Sequence, residues 1–209
     1  MKLPSSAHTS RPWRIHDIAP DFRLEDVWAL PTPGGPDDFP RLVRQFAAGD
    51  TLDNTSRVAR LLFRIRWKLG ELLGWDDPDS GVGARVPTLR DRLPADLRKG
   101  PSGPDFVLPF TPLYLREDEL AAEVANRTMH GVLHLGWVPD ESRAGGYRGQ
   151  MAVVVKPNGR FGSAYMAAIR PFRHALVYPR AMRVLGRTWR EGARSEQTIG
   201  RPSRSRASA

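Results

Sequence analysis

The sequence predicts an α+β domain in which an antiparallel sheet packs against a long C-terminal helix. Three observations point to it. Between residues 106 and 156 the segments "FVLPFTPLYLRE", "ELAAEVANRTMHGVLHLGWV" and "YRGQMAVVVK" have a short period and are separated by turn residues. Residues 160–191 instead place apolar side chains every three or four positions, the period of a helix. A single antiparallel sheet must cover its apolar face, and this terminal helix is long enough to do so.

The elements follow in order. Residues 1–12 are polar, contain Pro and Ser, and are expected to be flexible. "DFRLEDVWAL" (21–30) reads as a first strand with an irregularity between Leu24 and Val27, and "PTPGGP" (31–36) ends it. Two helices are expected next. The first covers residues 37–48, with Asp37 and Asp38 at its N-terminus. The second covers residues 53–75, where Val58, Leu61, Leu62, Ile65, Leu69 and Leu72 recur at helical spacing. Residues 76–105 form a long connection with a short ordered piece at "TLRDRL" (88–93). Its "GVGAR" (81–85) has only two glycines and no following helix, so it reads as a turn rather than a phosphate loop. In the β region, turns are expected near Asn126-Arg127 and over 139–146. Pro171 and Pro179 each remove a helical hydrogen bond and should kink or split the terminal helix. The organisation expected is a single domain over 13–192, followed by a disordered basic tail over 193–209.

Composition excludes several classes of function. With no cysteine, the chain has no disulfide, thiolate metal site or cysteine nucleophile. No stretch approaches the roughly 20 apolar residues of a membrane span. The N-terminus lacks the apolar core of a signal peptide, so a cytoplasmic location is expected. The net charge is +9. Arginine is spread along the chain, without the aromatic-plus-basic strand motif of a nucleic-acid binder, and nucleic acid is disfavoured as a partner. The Arg173, Arg180, Arg183, Arg187 and Arg190 stripe and the basic tail leave an interaction with an anionic partner as one reading.

"LLFRIRWKLGELLGWD" (61–76), "NRTMHGVLHLGWV" (126–138) and "GSAYMAAIRPFRHALVYP" (162–179) resemble the bacterial domain-of-unknown-function family 2867. That family in turn is similar to the START/Bet v 1-like helix-grip superfamily, also called SRPBCC. The resemblance covers roughly residues 13–191. It implies a curved antiparallel sheet wrapped around the C-terminal helix, with a hydrophobic cavity between them. It further implies a small apolar or amphipathic ligand, such as a lipid or a polyketide-like molecule, or else cyclase or dehydratase chemistry. It carries no catalytic residues and no cofactor to this chain.

The candidate chemistry centres on "MHGVLHLGWV" (129–138). On a helix, His130 and His134 would share a face and chelate one ion. On a strand they stand about 13 Å apart at roughly 3.3 Å per residue. Zinc needs each nitrogen at about 2.0–2.1 Å, so no shared metal is expected. Strand alternation sends Met129, Leu133, Leu135 and Trp137 to one face and His130, Val132 and His134 to the other. The histidines then lie on the outer face or under a loop, hydrogen-bonded or solvated. If the faces are reversed, one of them becomes a pocket acid/base.

Glu123, in the apolar "LAAEVAN", is a second acid/base candidate. Facing an apolar pocket it would have a raised pKa. The alternative is an ion pair with Arg127, Arg116 or an arginine of the terminal helix. Candidate ligand-binding residues are Met129, Leu133 and Trp137 on the sheet and Tyr165, Ile169, Arg170, Phe172 and Tyr178 on the helix. Arg170, His174 and Tyr178 recur every four residues, which suits either an anchor for an anionic group or a tie from helix to sheet. Ser163, in "FGSAY", does not sit in a GxSxG elbow. The readings to be separated are a small-molecule binder, an acid/base enzyme and an interaction protein.

Overall fold

The computed structural model describes residues 1–49, 82, 86–107, 110–126, 128–172, 174 and 178–199, without the side chains of 161, 165, 169, 170, 172 and 195–199. Two short helices come first, α1 (Ser6–Thr9) and α2 (Ile15–Ile18). Strand β1 (Arg23–Ala29) follows, then a 3₁₀ turn at Pro36–Asp38 and helix α3 (Phe39–Ala47). A 3₁₀ turn at Leu89–Arg92 and helix α4 (Ala95–Lys99) precede β2 (Thr111–Leu115), β3 (Glu119–Ala125), β4 (Met129–Pro139) and β5 (Tyr147–Pro157). Helices α5 (Gly159–Phe172) and α6 (Tyr178–Ile199) close the described chain. The five strands form one antiparallel sheet in the order β1-β5-β4-β3-β2.

The turns expected from the sequence are built by side chains suited to them. Between β3 and β4, Asn126 Oδ1 accepts from the amides of Thr128 and Met129 and from the Thr128 hydroxyl, at 2.7–3.1 Å. Between β4 and β5, Asp140 Oδ1 accepts from the Ser142 amide and hydroxyl, and Gly145 supplies the positive φ of 67°.

The irregularity in β1 is a register shift between Leu24 and Asp26. It turns Leu24 to one face of the sheet and Asp26 and Trp28 to the other, as a bulge does when it re-aims side chains. The predicted helix over 37–48 is α3. The one predicted over 53–75 and most of "GVGAR" lie outside the described residues.

Both faces of the sheet are covered. On the first face, Val132, Val138, Ala121 and Val154 pack with Trp13, Ile15, Ile18, Leu89, Leu93 and Leu97 from the N-terminal segment and the 88–97 segment. Gly136 makes room here, because a Cβ at that position would lie 2.7 Å from the Trp13 ring. On the second face, Leu135, Trp137, Met151 and Trp28 pack with Phe39, Leu42 and Phe46 of α3 and with Tyr178, Leu185 and Trp189 of α6.

Two segments differ from expectation. Residues 1–12, expected to be flexible, join the fold: the Leu3 amide donates to Val27 O, the Ala29 amide donates to Met1 O, and His8 is buried. Pro171 stands one residue before the end of α5 and Pro179 is the second residue of α6, and residues 173 and 175–177 between them lie outside the described residues. Of the tail expected over 193–209, residues up to Ile199 continue α6 and the rest lies outside the described residues.

Candidate functional site

Antiparallel pairing of β3 with β4 aligns Ala121 with His134 and Ala125 with His130. Each histidine therefore stands diagonally from a glutamate two positions along β3. His134 Nε2 lies 3.1 Å from Glu119 Oε1, and His130 Nε2 lies 2.7 Å from Glu123 Oε2. The four-residue spacing is the same on both strands, so one diagonal pair is repeated along the first face. All four side chains are buried. An isolated carboxylate is costly to bury, and here each is surrounded by donors.

Those donors come from the segments that cover the sheet. Glu119 accepts from the Ile15 and Arg14 amides, each at 3.2 Å, and from the Tyr114 hydroxyl at 2.5 Å. Glu123 accepts from the Leu89 amide at 3.0 Å and from the Thr88 hydroxyl. One carboxylate thus fastens the start of α2 to the sheet, and the other fastens the start of the 3₁₀ turn at Leu89. Burial pushes both carboxyl groups up. The hydrogen bonds from His134 and Tyr114 in one case, and from His130 and Thr88 in the other, outweigh it and hold both below the ordinary carboxylate value.

The first pair is extended by a third imidazole. His8 of α1 places Nε2 3.1 Å from His134 Nδ1. With Glu119 ionised, His134 Nε2 donates to it, so Nδ1 of a neutral His134 is an acceptor. His8 must then donate through Nε2, which leaves its Nδ1 as a bare lone pair. That atom is buried and has no hydrogen-bond partner among the described residues. Burial first, then the neighbouring His134 and His16, lowers the His8 pKa to about 3.

His8 also lines a cleft of about 460 Å³ with Thr9, Ile15, His16, Phe22, Leu24 and Val154. The His16 ring meets the His8 ring edge-on at 4.8 Å, held by one long bond of 3.4 Å to the His8 carbonyl. Phe22 stands edge-on to His130 at 5.0 Å, so the cleft passes near both pairs.

The acid/base candidates Glu123, His130 and His134 are therefore gathered on one face, under covering segments rather than in solvent. Among the described residues the partners of Glu123 are His130, Thr88 and the Leu89 amide. These donors hold its pKa below the ordinary value despite burial, where a carboxylate facing an apolar pocket would have had it raised. Arg127 lies outside the described residues. The ligand-binding candidates Met129, Leu133, Trp137 and Tyr178 belong to the second face. There Leu133, Trp137 and Tyr178 pack into the core, and Met129 is half-buried. The side chains of Tyr165, Ile169, Arg170 and Phe172 lie outside the described residues. Asp26, buried on the same face, accepts from Tyr178 OH at 3.2 Å and pairs with His174. The four-residue spacing of His174 and Tyr178 thus ties helix to sheet.

Sequence reading missed His8, His16, Glu119, Tyr114, Thr88 and Asp26. Glu119 had a signal, the same spacing to Glu123 as His130 has to His134. His8 and Thr88 had none, since each reaches the sheet from a segment without a periodic pattern.

Among the described residues no helix is long and apolar enough to cross a membrane, and no group of three or more His, Asp or Glu is placed to hold a metal ion. No curated protein and no solved structure matches the chain. A family model does match, over residues 18–180, which includes β1, the whole sheet and both Glu–His pairs. The chain belongs to the family described as "Protein of unknown function (DUF2867)".

Proposed function

We propose that the protein binds a small amphipathic molecule in the cleft between the N-terminal helices and the first face of the sheet. One observation carries this reading: a cleft of mixed polar and apolar lining that His8 lines, the same imidazole whose buried Nδ1 has no hydrogen-bond partner among the described residues. Its volume of about 460 Å³ is that of an ordinary ligand pocket, roughly 300–1,000 Å³. Ile15, Phe22, Leu24 and Val154 supply apolar contact, and His8 and His16 supply the polar groups that fix orientation.

The ligand site expected from the sequence lay between the sheet and the terminal helix. On that face the described residues Trp28, Leu135, Trp137, Leu185 and Trp189 pack together, whereas the cleft described above lies on the opposite face. A helix-grip relationship to START/Bet v 1-like proteins belongs to the same proposal. It is supported by β1 lying beside the last strand, by the helical connection after β1, and by α6 packed on one face. The absence of cysteine fits residence in the cytoplasm.

The test uses an anilinonaphthalene sulfonate probe. The folded protein should bind it stoichiometrically, with methyl shifts at Ile15, Leu24 and Val154, and Val154→Phe should remove that binding by filling the cleft. An absence of saturable binding to the folded chain, or shifts confined to the second face, overturns the reading.

A further inference from the structure

The two Glu–His pairs are alike in register, burial and fastening role, yet in the described structure a third imidazole extends only one of them toward the cleft. We propose that Glu119, His134 and His8 form a proton relay that deprotonates the O–H group of a weakly acidic ligand, of the phenol or enol class, in the cleft. This rests on the cleft being a ligand site.

The relay follows from the bonding. In the resting state both imidazoles carry their proton on Nε2, and His8 Nδ1 is the bare acceptor. The ligand O–H bond breaks and its proton goes to His8 Nδ1. At the same time the His8 Nε2 proton crosses to His134 Nδ1. His8 ends neutral with the opposite tautomer, His134 becomes a cation beside the Glu119 carboxylate, and the ligand keeps the electron pair as an anion. Proton and charge balance without any co-reactant.

Two imidazoles serve where one would not. A cation on His8 would be buried without a carboxylate of its own, facing His134, His16 and the Trp13 ring. Accordingly its basicity is depressed by burial. A cation on His134 lies 3.1 Å from Glu119, whose carboxylate is oriented by Tyr114 and the Arg14 and Ile15 amides. The relay thus accepts a proton at the cleft and places the charge where it is compensated. In the proposed relay His16, whose bond to the His8 carbonyl is 3.4 Å long and whose ring lies against His8 at the cleft, moves aside to admit the ligand oxygen. Glu119 is a positioning residue, and His8 is the group that touches the ligand.

The experiment titrates 4-nitrophenol and 4-nitroanisole into the full chain, at a pH where free 4-nitrophenol is mostly neutral. Bound nitrophenol should show the phenolate absorption, with a phenolate-to-phenol ratio at least about tenfold above that of the free probe. The His134 ring ¹⁵N shifts should move to cationic values, and the His8 shifts should report exchange of tautomer. Nitroanisole should bind and do neither. His8→Gln keeps a donor to His134 but cannot pass a proton on, so its bound nitrophenol should stay neutral.

Nitrophenol that shifts the Ile15, Leu24 and Val154 methyls yet remains neutral, with His134 unchanged, overturns the relay and leaves the cleft reading standing. Ionisation that persists in His8→Gln also overturns the relay. If neither probe moves those methyls, the cleft reading falls and the relay falls with it. The ¹⁵N measurement on the unsubstituted chain decides the question even if the variant fails to fold.

Discussion

His8 is the residue on which the cleft's chemistry turns, and its burial has a consequence for stability. Its pKa falls from an unperturbed 6.5 to about 3 on folding. A depressed histidine pKa means that the unfolded chain binds the proton first. The contribution of His8 is therefore fully present above pH 6.5 and is lost as the pH falls toward 3. Glu119 and Glu123 are also depressed, so their contributions are lost only below their unfolded value of 4.5. Between these two unfolded values the His8 term stands apart from theirs. Urea unfolding of the unsubstituted chain should weaken across that window by on the order of 2 kcal/mol more than that of His8→Gln. Parallel profiles for the two proteins would show that His8 titrates normally. At this scale the sequence was partly legible. Strand alternation puts His130 and His134 on the face opposite Leu133 and Trp137, but pairing them with Glu119 and Glu123 needs the strand register, and His8 comes from a segment with no period to read.

Among the elements, β1 and α6 are joined through one buried carboxylate. The register shift in β1 turns Asp26 to the second face, where Tyr178 at the start of α6 and His174 just before it both reach its oxygens. Lys2 approaches the same carboxylate at 3.7 Å. Asp26→Ala leaves a buried hydroxyl without its acceptor and should destabilise by about 1–3 kcal/mol. The loss should be local first. Amide exchange in the first turns of α6 should accelerate more than exchange in β3 and β4, and an equal acceleration in all of them would refute the tie. Helical period located α5 and α6, but it does not say where they dock, which here is set by His174 and Tyr178 meeting Asp26.

For the whole molecule, the sheet separates two cores. The N-terminal and 88–97 segments cover one face, and α3 and α6 cover the other. Ile15 belongs to the first core and Leu135 to the second, and both are fully buried. Leu135→Ala should cost about 2–5 kcal/mol and Ile15→Val about 0.5–1.5 kcal/mol. They share no cluster, so the double variant should equal the sum of the two within about 0.5 kcal/mol. A larger coupling in urea unfolding would mean that the sheet transmits strain between its faces. Both faces of the sheet therefore carry a packed core, with the two Glu–His pairs buried on the first face and Asp26 buried on the second.

By itself the sequence determined the α+β class, the antiparallel strands with their turns, and the facing of the histidines away from Leu133 and Trp137. These are local properties, set by side-chain period and backbone freedom within a few residues. Only the tertiary structure decided that Glu119 and Glu123 pair with His134 and His130, that residues 1–12 are part of the fold, and that His8 ends one chain of imidazoles at a cleft. Those contacts join residues as far apart as His8 and His134. Such a contact depends on strand register and on which segments cover the sheet, and neither leaves a periodic trace in the chain.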